Sequence, residues 1–439
     1  MTGARLRAAG LLAQDSELLE VLLRTPTAGP LETRGTGPDP QLWEAQRRYA
    51  AAAGELGFRT VRHAPASTPS ALRDDVPLAV HRAVAEVPGF LELQPSLVLR
   101  LGPALPRERT IMFNAHLDTV AGMEPVGFDG SRFTGRGAID AKGPAVALLA
   151  GLRAALAVEP AIGSDVGVLV QAVAGEEGGA MGTIGTRPLV EEGFVGRLNV
   201  FCEPTGLHYL PRVTAAMTAC VRVAGRDAID DRPEAGHNAT VLLGFLAQYL
   251  GAALAPRVPD GRVCVAGLHT GRLHNRVYGS GELLLNLSYA SSVSAMELET
   301  AVSTALRDGI TDFTARFGSI REFARTAAEA AEVTRLEWHK RGLPTLTGSD
   351  EWCEALLRDG AGIPCWPDAE PAFTCDAIWM NGVPGAFTVV LGPGSLAANN
   401  AHAQGEYAEL AELEAFAAAV ARTVVCFARG CRPSVQGMP

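Results

Sequence analysis

The sequence predicts an α/β fold into which a β-α-β-β-α-β unit is inserted, and three observations support it. First, β-rich runs at 96–101, 110–115, 165–173 and 197–201 alternate with helical stretches at 143–156 and 182–192, the pattern of a sheet layered with helices. Second, from Val213 onward the rhythm becomes strand 216–223, helix 238–250, strands 261–268 and 281–289, helix 294–317 and strand 333–339, which is the split βαβ order. Third, residues 349–357, 376–380 and 386–391 and a terminal helix at 407–427 return to the opening rhythm. The larger domain therefore comprises 1–212 and 341–439, and the smaller one 213–340. Ahead of the first strand, Leu18, Leu19, Leu22 and Leu23 repeat at helical spacing, and the Ala-rich run 42–56 reads as a second helix.

Composition narrows the function. A chain of 439 residues exceeds the usual size of one core, and 47% hydrophobic with 20% charged residues describes an ordinary globular protein. The formal charge of -10 argues against nucleic acid or an anionic membrane as partner, since both need a basic face. The N-terminal stretch carries Arg5 and Arg7, but Gln14, Asp15 and Glu17 break its apolar run too early for a signal segment. No stretch is read as reaching the roughly 18 to 20 apolar residues of a membrane span. Eight scattered Cys without a C-x-x-C pair fit reduced thiols and a cytoplasmic location.

The chemistry lies in the acids and histidines. His116 and Asp118 stand in NAHLDTV, Asp140 in GRGAIDAKG, Glu176 and Glu177 in AGEEGG, Glu203 in CEPT and His402 in AHAQGEY. Taken singly, each has an ordinary explanation: a solvated acidic pair, a turn aspartate, a surface histidine. Taken together they form a two-metal site, because imidazole and carboxylate hold Zn²⁺ and two neighbouring ions need a carboxylate able to bridge them. Most of these residues fall at or just past predicted strand ends, where ligands gather in α/β sheets. Two His and three carboxylates suffice, leaving one acid to move protons.

These motifs resemble the zinc metallopeptidase family of aminoacylase, succinyl-diaminopimelate desuccinylase, acetylornithine deacetylase and glutamate carboxypeptidase. HLDTV, GRGAIDAKG, GEEGG and EPT carry the resemblance, which spans nearly the whole chain. It implies a mixed-sheet zinc-peptidase catalytic domain with an inserted ferredoxin-like lid and dimerisation domain, and a homodimer. It further implies that His116 and Glu203 hold one zinc, Glu177 and His402 the other, and that Asp140 bridges. Asp118 would hydrogen-bond His116, and Glu176 would be the general base. Two Zn²⁺ per chain are expected, with Co²⁺ or Mn²⁺ as substitutes. The substrate would be a small N-acyl amino acid, dipeptide or related amide.

The chain departs from the family in the lid. The segment GRDAIDDRPEAGHNAT aligns on Gly225, Pro233, Gly236, Asn238 and Ala239, with Ile229 where the family has an oxyanion-stabilising His. A second lid pattern aligns on Asn275, Tyr278 and Ser288, so its Pro and its carboxylate-clamping Arg are both absent. Asn275, Arg272, Arg276, His237 and Gly394 are the candidate substrate contacts. Amide hydrolysis is the leading expectation. The alternatives are non-hydrolytic amide formation, cyclisation or acyl transfer on the same metals, or a catalytically altered metal-binding homologue.

Overall fold

The computed structural model describes residues 10–257 and 261–431, and Arg5 and Arg7 of the leader reading lie outside them. The chain opens with α1 (Ala13–Arg24) and α2 (Leu42–Gly54), then β1 (Arg59–Ala64), β2 (Ser96–Leu101) and β3 (Thr110–His116). Helix α3 (Lys142–Leu156) leads to β4 (Gly167–Val173) and β5 (Leu198–Phe201). There follow β6 (Ala215–Ala224), α4 (Ala239–Leu254), β7 (Arg262–His269), β8 (Ser280–Tyr289), α5 (Ser292–Phe317), α6 (Ala324–Val333) and β9 (Thr334–Lys340). The chain ends on β10 (Phe387–Val390) and α7 (Leu410–Gly430).

Two units result, one of residues up to Val213 and from Leu346, the other Thr214–Thr345. The first is built on a six-stranded mixed sheet in the order β1-β2-β4-β3-β5-β10. Strands β4, β3, β5 and β10 run parallel, whereas β1 and β2 are antiparallel additions at one side. Every residue of β3, β4, β5 and β10 is buried, as expected of parallel strands covered on both faces. Helix α3 is apolar nearly all round and correspondingly buried. It packs so closely on α7 that a Cβ on Gly151 would sit 2.5 Å from the carbonyl oxygen of Ala417.

The second unit is a four-stranded antiparallel sheet in the order β7-β8-β6-β9. Along β8, Leu283, Leu285, Leu287 and Tyr289 are buried while Glu282, Asn286 and Ser288 alternate to the other face. Helix α4 buries Leu242, Leu243, Leu246, Leu250 and Leu254, the spacing of one helical face, and contacts β7 and β8. Asn238 accepts a hydrogen bond from Val241 N–H at 3.0 Å, so it is the cap before α4 and not its first turn.

Several expectations need correction. The stretch Ala239–Arg257 is, at 19 residues and mean hydropathy 1.5, long and apolar enough by length and composition to cross a membrane, although its leucines pack on β7 and β8. The predicted helix at 182–192 is only Thr186–Glu191, since Gly182 sits at φ +63° and holds a turn. The terminal helix starts at Leu410, because Tyr407–Glu409 instead pairs with Arg132–Thr134. Strand β1 and helix α6 were not foreseen. All eight Cys are free thiols.

Candidate metal centre

Three parallel strands deliver acids and an imidazole to one edge. Strand β3 ends on His116, one residue later than its apolar run suggests. Glu176 and Glu177 follow the end of β4, and Glu203 follows the end of β5. Because these strands are in parallel register, their ends share one crevice. Asp140 arrives on the loop before α3, where Gly135 and Gly137 have φ of +141° and +88°. Glu406 fixes that loop: its carboxylate accepts N–H bonds from Gly137 at 3.0 Å, Ile139 at 3.2 Å and Asp140 at 3.3 Å, and pairs with Arg136 at 2.6 Å. His402 comes from the loop before α7 with φ +62°.

The five expected ligands meet. His116 Nε2 lies 2.8 Å from Asp140 Oδ1 and 3.6 Å from Glu203 Oε1. His402 Nε2 lies 3.0 Å from Asp140 Oδ2 and 2.9 Å from Glu177 Oε1. Asp140 thus turns one oxygen to each imidazole, and its two sets of neighbours, His116 with Glu203 and Glu177 with His402, each gather within 4.8 Å. Glu176 joins His116 and Glu177 in a third group. The expected Asp118–His116 bond takes a different form. His116 Nδ1 is 2.9 Å from the Asp118 backbone carbonyl and 3.7 Å from carboxylate Oδ1, while Oδ2 accepts from Gly175 and Glu177 N–H. Asp118 therefore ties the glutamate loop to the histidine strand.

The donor set fits divalent cations. Asp140, Glu177 and Glu203 are buried carboxylates crowded around two imidazoles, a costly arrangement unless cations serve them. Protons take up that role in the protein alone. Burial and neighbouring carboxylates push Glu203 up to about 8, and burial raises Glu176 and Glu177 as well. Burial opposes the charge on His116, but Glu203 and Asp140 outweigh it and raise it well above its ordinary value. Asp140 and Glu177 push His402 up to about 10. Burial also works against Asp140, yet its two imidazoles hold it well below the carboxylate range. Mutually dependent shifts of this kind mark functional carboxylate clusters.

A model of peptidase family M20/M25/M40 matches residues 112–425, which contain every one of these positions. The chain belongs to that family. It is 30% identical over 222 residues, half of its own length, to a protein of Aeropyrum pernix described as a LysW-lysine/LysW-ornithine hydrolase, and spans 58% of that relative. Among solved structures it is similar to the M20 family metallo-carboxypeptidase Sso-CP2 from Sulfolobus solfataricus, with a TM-score of 0.66 at 12% identity, covering 95% of this chain and 100% of that one. Human carnosine dipeptidase 1 gives 0.62 at 15% identity, covering 95% and 97%.

In this M20/M25/M40 member the remaining candidates fare differently. His237 is 5% exposed, with Nδ1 accepting from Arg226 N–H at 2.8 Å and Nε2 2.9 Å from Glu329. It is a structural histidine, and its assignment to substrate is corrected accordingly. Arg276 is ion-paired with Asp227 and stacked on Tyr278, and its strand pairs with that of Ile229, which is 59% exposed. Arg272 and Asn275 are exposed. Gly394 serves a turn at φ +60°, where its carbonyl accepts from Gly206 N–H and a Cβ would press on Asn399.

Two acids escaped the sequence reading. Glu406 stands four residues past His402 in a motif already singled out, which was the available signal. Asp376 gave no signal: it is buried, accepts from Thr186 Oγ1 at 2.5 Å, and is pushed up to about 7 by burial. Replacing Glu406 by Ala should cost about 3–5 kcal/mol, the usual loss when one partner of a buried ion pair is removed. Denaturant unfolding measures it, and an unchanged midpoint would mean that Arg136 and the Asp140 loop are held by something else.

Proposed function

We propose that this chain is a dinuclear, metal-dependent hydrolase that cleaves an amide bond in a small N-acyl amino acid, dipeptide or related metabolite. The observation that carries the reading is Asp140, one oxygen toward His116 and the other toward His402. In the proposed assignment His116 and Glu203 hold one Zn²⁺, Glu177 and His402 the second, and Asp140 both. Bound there, such a pair would polarise the scissile carbonyl and acidify a shared water. Glu176 would accept a proton from the attacking water and return it to the leaving amine nitrogen. Burial and Glu177 raise its affinity for a proton, the direction a proton carrier needs. Asp118 keeps the His116 ring oriented through its own backbone carbonyl, leaving Nε2 for the metal.

The inserted unit is proposed as a ferredoxin-like lid and dimerisation module. Its β7 edge, exposed along most of its length, supports pairing with a second copy. With Ile229 and Ser288 at the positions of the family's His and Arg, the preferred substrate lacks a clamped terminal carboxylate. The free thiols are consistent with a reducing, cytoplasmic setting.

The test is product mass spectrometry on a panel of N-acyl amino acids, dipeptides and neutral amides of amino acids, with Zn²⁺ added or chelated. Metal-dependent release of amine and acid is expected, with neutral amides ahead of N-acetyl amino acids bearing a free carboxylate. No release from any member would sink the hydrolytic reading. A kcat/KM of about 10⁴ M⁻¹s⁻¹ or more on the acetylated acids would instead show that the two lid replacements are silent.

A further inference from the structure

Within the inserted unit, three side chains of metal-binding type converge: Cys220, Glu337 and His339 bring a sulfur, a carboxylate oxygen and an imidazole nitrogen to within 4.8 Å of one another. The sheet itself makes this meeting. Strands β6 and β9 are antiparallel with Cys220 directly opposite Glu337, a relation that puts two Cβ atoms about 4.5–5.5 Å apart on one face. Past Glu337 the register slips: Trp338 faces Ala219, but it is Lys340 that faces Thr218. His339 is therefore the additional residue of a β-bulge, the device by which a strand re-aims a side chain. It is aimed at the face that carries Cys220.

The donors suit one kind of ion. A thiolate with an imidazole and a single carboxylate favours Zn²⁺ over Mg²⁺ or Ca²⁺, which take oxygen. Cys220 is buried, whereas Glu337 has a side chain 39% exposed and His339 is half-buried, so the soft donor is the floor of the group and the other two its rim. Glu337 is also within reach of Arg222, whose Nε lies 3.2 Å from both carboxylate oxygens, while Nη1 of the same guanidinium lies 2.7 Å from Glu282. Glu282 can keep Arg222 neutralised when Glu337 turns to a cation. The charges then balance: the Cys220 thiolate, Glu337 and Glu282 offset a divalent ion and Arg222. Arg222 further places a positive charge near the Cys220 sulfur, which favours the thiolate that binds metal.

We propose that Cys220, Glu337 and His339 hold one Zn²⁺ that staples β9 to β6, separate from the dinuclear centre, with water in the fourth position. The staple answers a structural need. Strand β9 is the edge of its sheet, and of its seven residues only Thr334 is buried, so apolar burial contributes little to holding it. A metal bridging it to the neighbouring strand fixes the last element of the inserted unit before the chain returns to the first.

Titration of the reduced full chain with Co²⁺ tests this, because a thiolate bound to Co²⁺ gives a near-ultraviolet charge-transfer band that the carboxylates and imidazoles of the dinuclear centre do not produce. A saturable band that Zn²⁺ displaces is expected. It should vanish in Cys220→Ala and persist in Cys264→Ser, whose thiol is exposed on β7. His339→Gln, at a half-buried position, should weaken Co²⁺ here by more than the roughly 10- to 100-fold that loss of an outer partner costs a metal site. Elemental analysis of the zinc-loaded proteins should find about one ion fewer per chain in Cys220→Ala than in the wild type. No band up to about 1 mM Co²⁺, a band unchanged in Cys220→Ala, equal zinc content in the two proteins, or undiminished affinity in His339→Gln would each overturn the proposal. Both proteins share the same dinuclear centre and no turnover is measured, so failure here leaves the hydrolytic reading to its own test.

Discussion

Glu176→Gln should retain the metal content of the wild-type protein and lose a hundredfold or more in kcat, within the range of about 10² to 10⁴ that a positioned general base contributes. The geometry separates the two adjacent glutamates. Glu177 Oε1 lies 2.9 Å from His402 Nε2 and belongs to the Asp140–His402 group, whereas Glu176 groups only with His116 and Glu177. Glutamine at 176 keeps the side-chain shape but cannot accept the proton of the attacking water. Glutamine at 177 should instead lower metal occupancy, because a neutral amide oxygen replaces a carboxylate. Elemental analysis beside steady-state kinetics distinguishes them. If Glu176→Gln turned over at the wild-type rate, another acid would be the base, and Asp376 would be the first to examine.

Removing the metal with a chelator should abolish turnover and leave a protein whose stability falls between pH 5 and pH 7. The sign follows from where the protons sit. Burial raises Glu203 from 4.5 to about 8 and Asp376 from 3.8 to about 7. Across that interval the folded chain keeps protons that the unfolded chain has released, so stability decreases as pH rises. Lys142, lowered by burial from 10.5 to about 7, acts in the opposite direction only above that interval. Bound cations replace those protons, so the metal-loaded protein should be nearly flat over the same range. Melting temperatures of both forms at several pH values measure the difference. A gap that does not widen with pH would mean that the acid cluster is not what the metal stabilises.

The sequence was most informative where local pattern and burial coincide. TIMFNAH is apolar enough to announce a covered parallel strand, and its last residue reaches the proposed metal centre because strand ends are where the sheet opens. The family resemblance implied Asp140 as the bridging residue, and the glycines around it fit a loop that turns sharply there. The failures have a common cause in pairings made far along the chain. Arg59–Ala64 is a polar edge strand that acquires its identity from β2. Tyr407–Glu409 looks like the start of a helix until it meets Arg132–Thr134. His237, a candidate substrate contact in the lid, is buried against Glu329. Asp376 matters through the Thr186 hydroxyl it accepts from, which nothing in its sequence neighbours announces, whereas Glu406 was signalled by the His402 motif it closes.

The placement of His402 also sets an order in time. Glu203 is synthesised before the inserted unit and His402 only after it, so the ribosome releases an acid-rich edge well before its second imidazole exists. The short pairing of Arg212–Val213 with Leu346–Thr347 is the stitch that brings the late segment back beside the early one. Until that stitch is made, the nascent chain offers one imidazole to the three proposed ligand carboxylates, Asp140, Glu177 and Glu203, and to Glu176. If the proposed centre holds a pair of cations, its completion requires that translation has passed residue 402 and that the interrupted domain has closed.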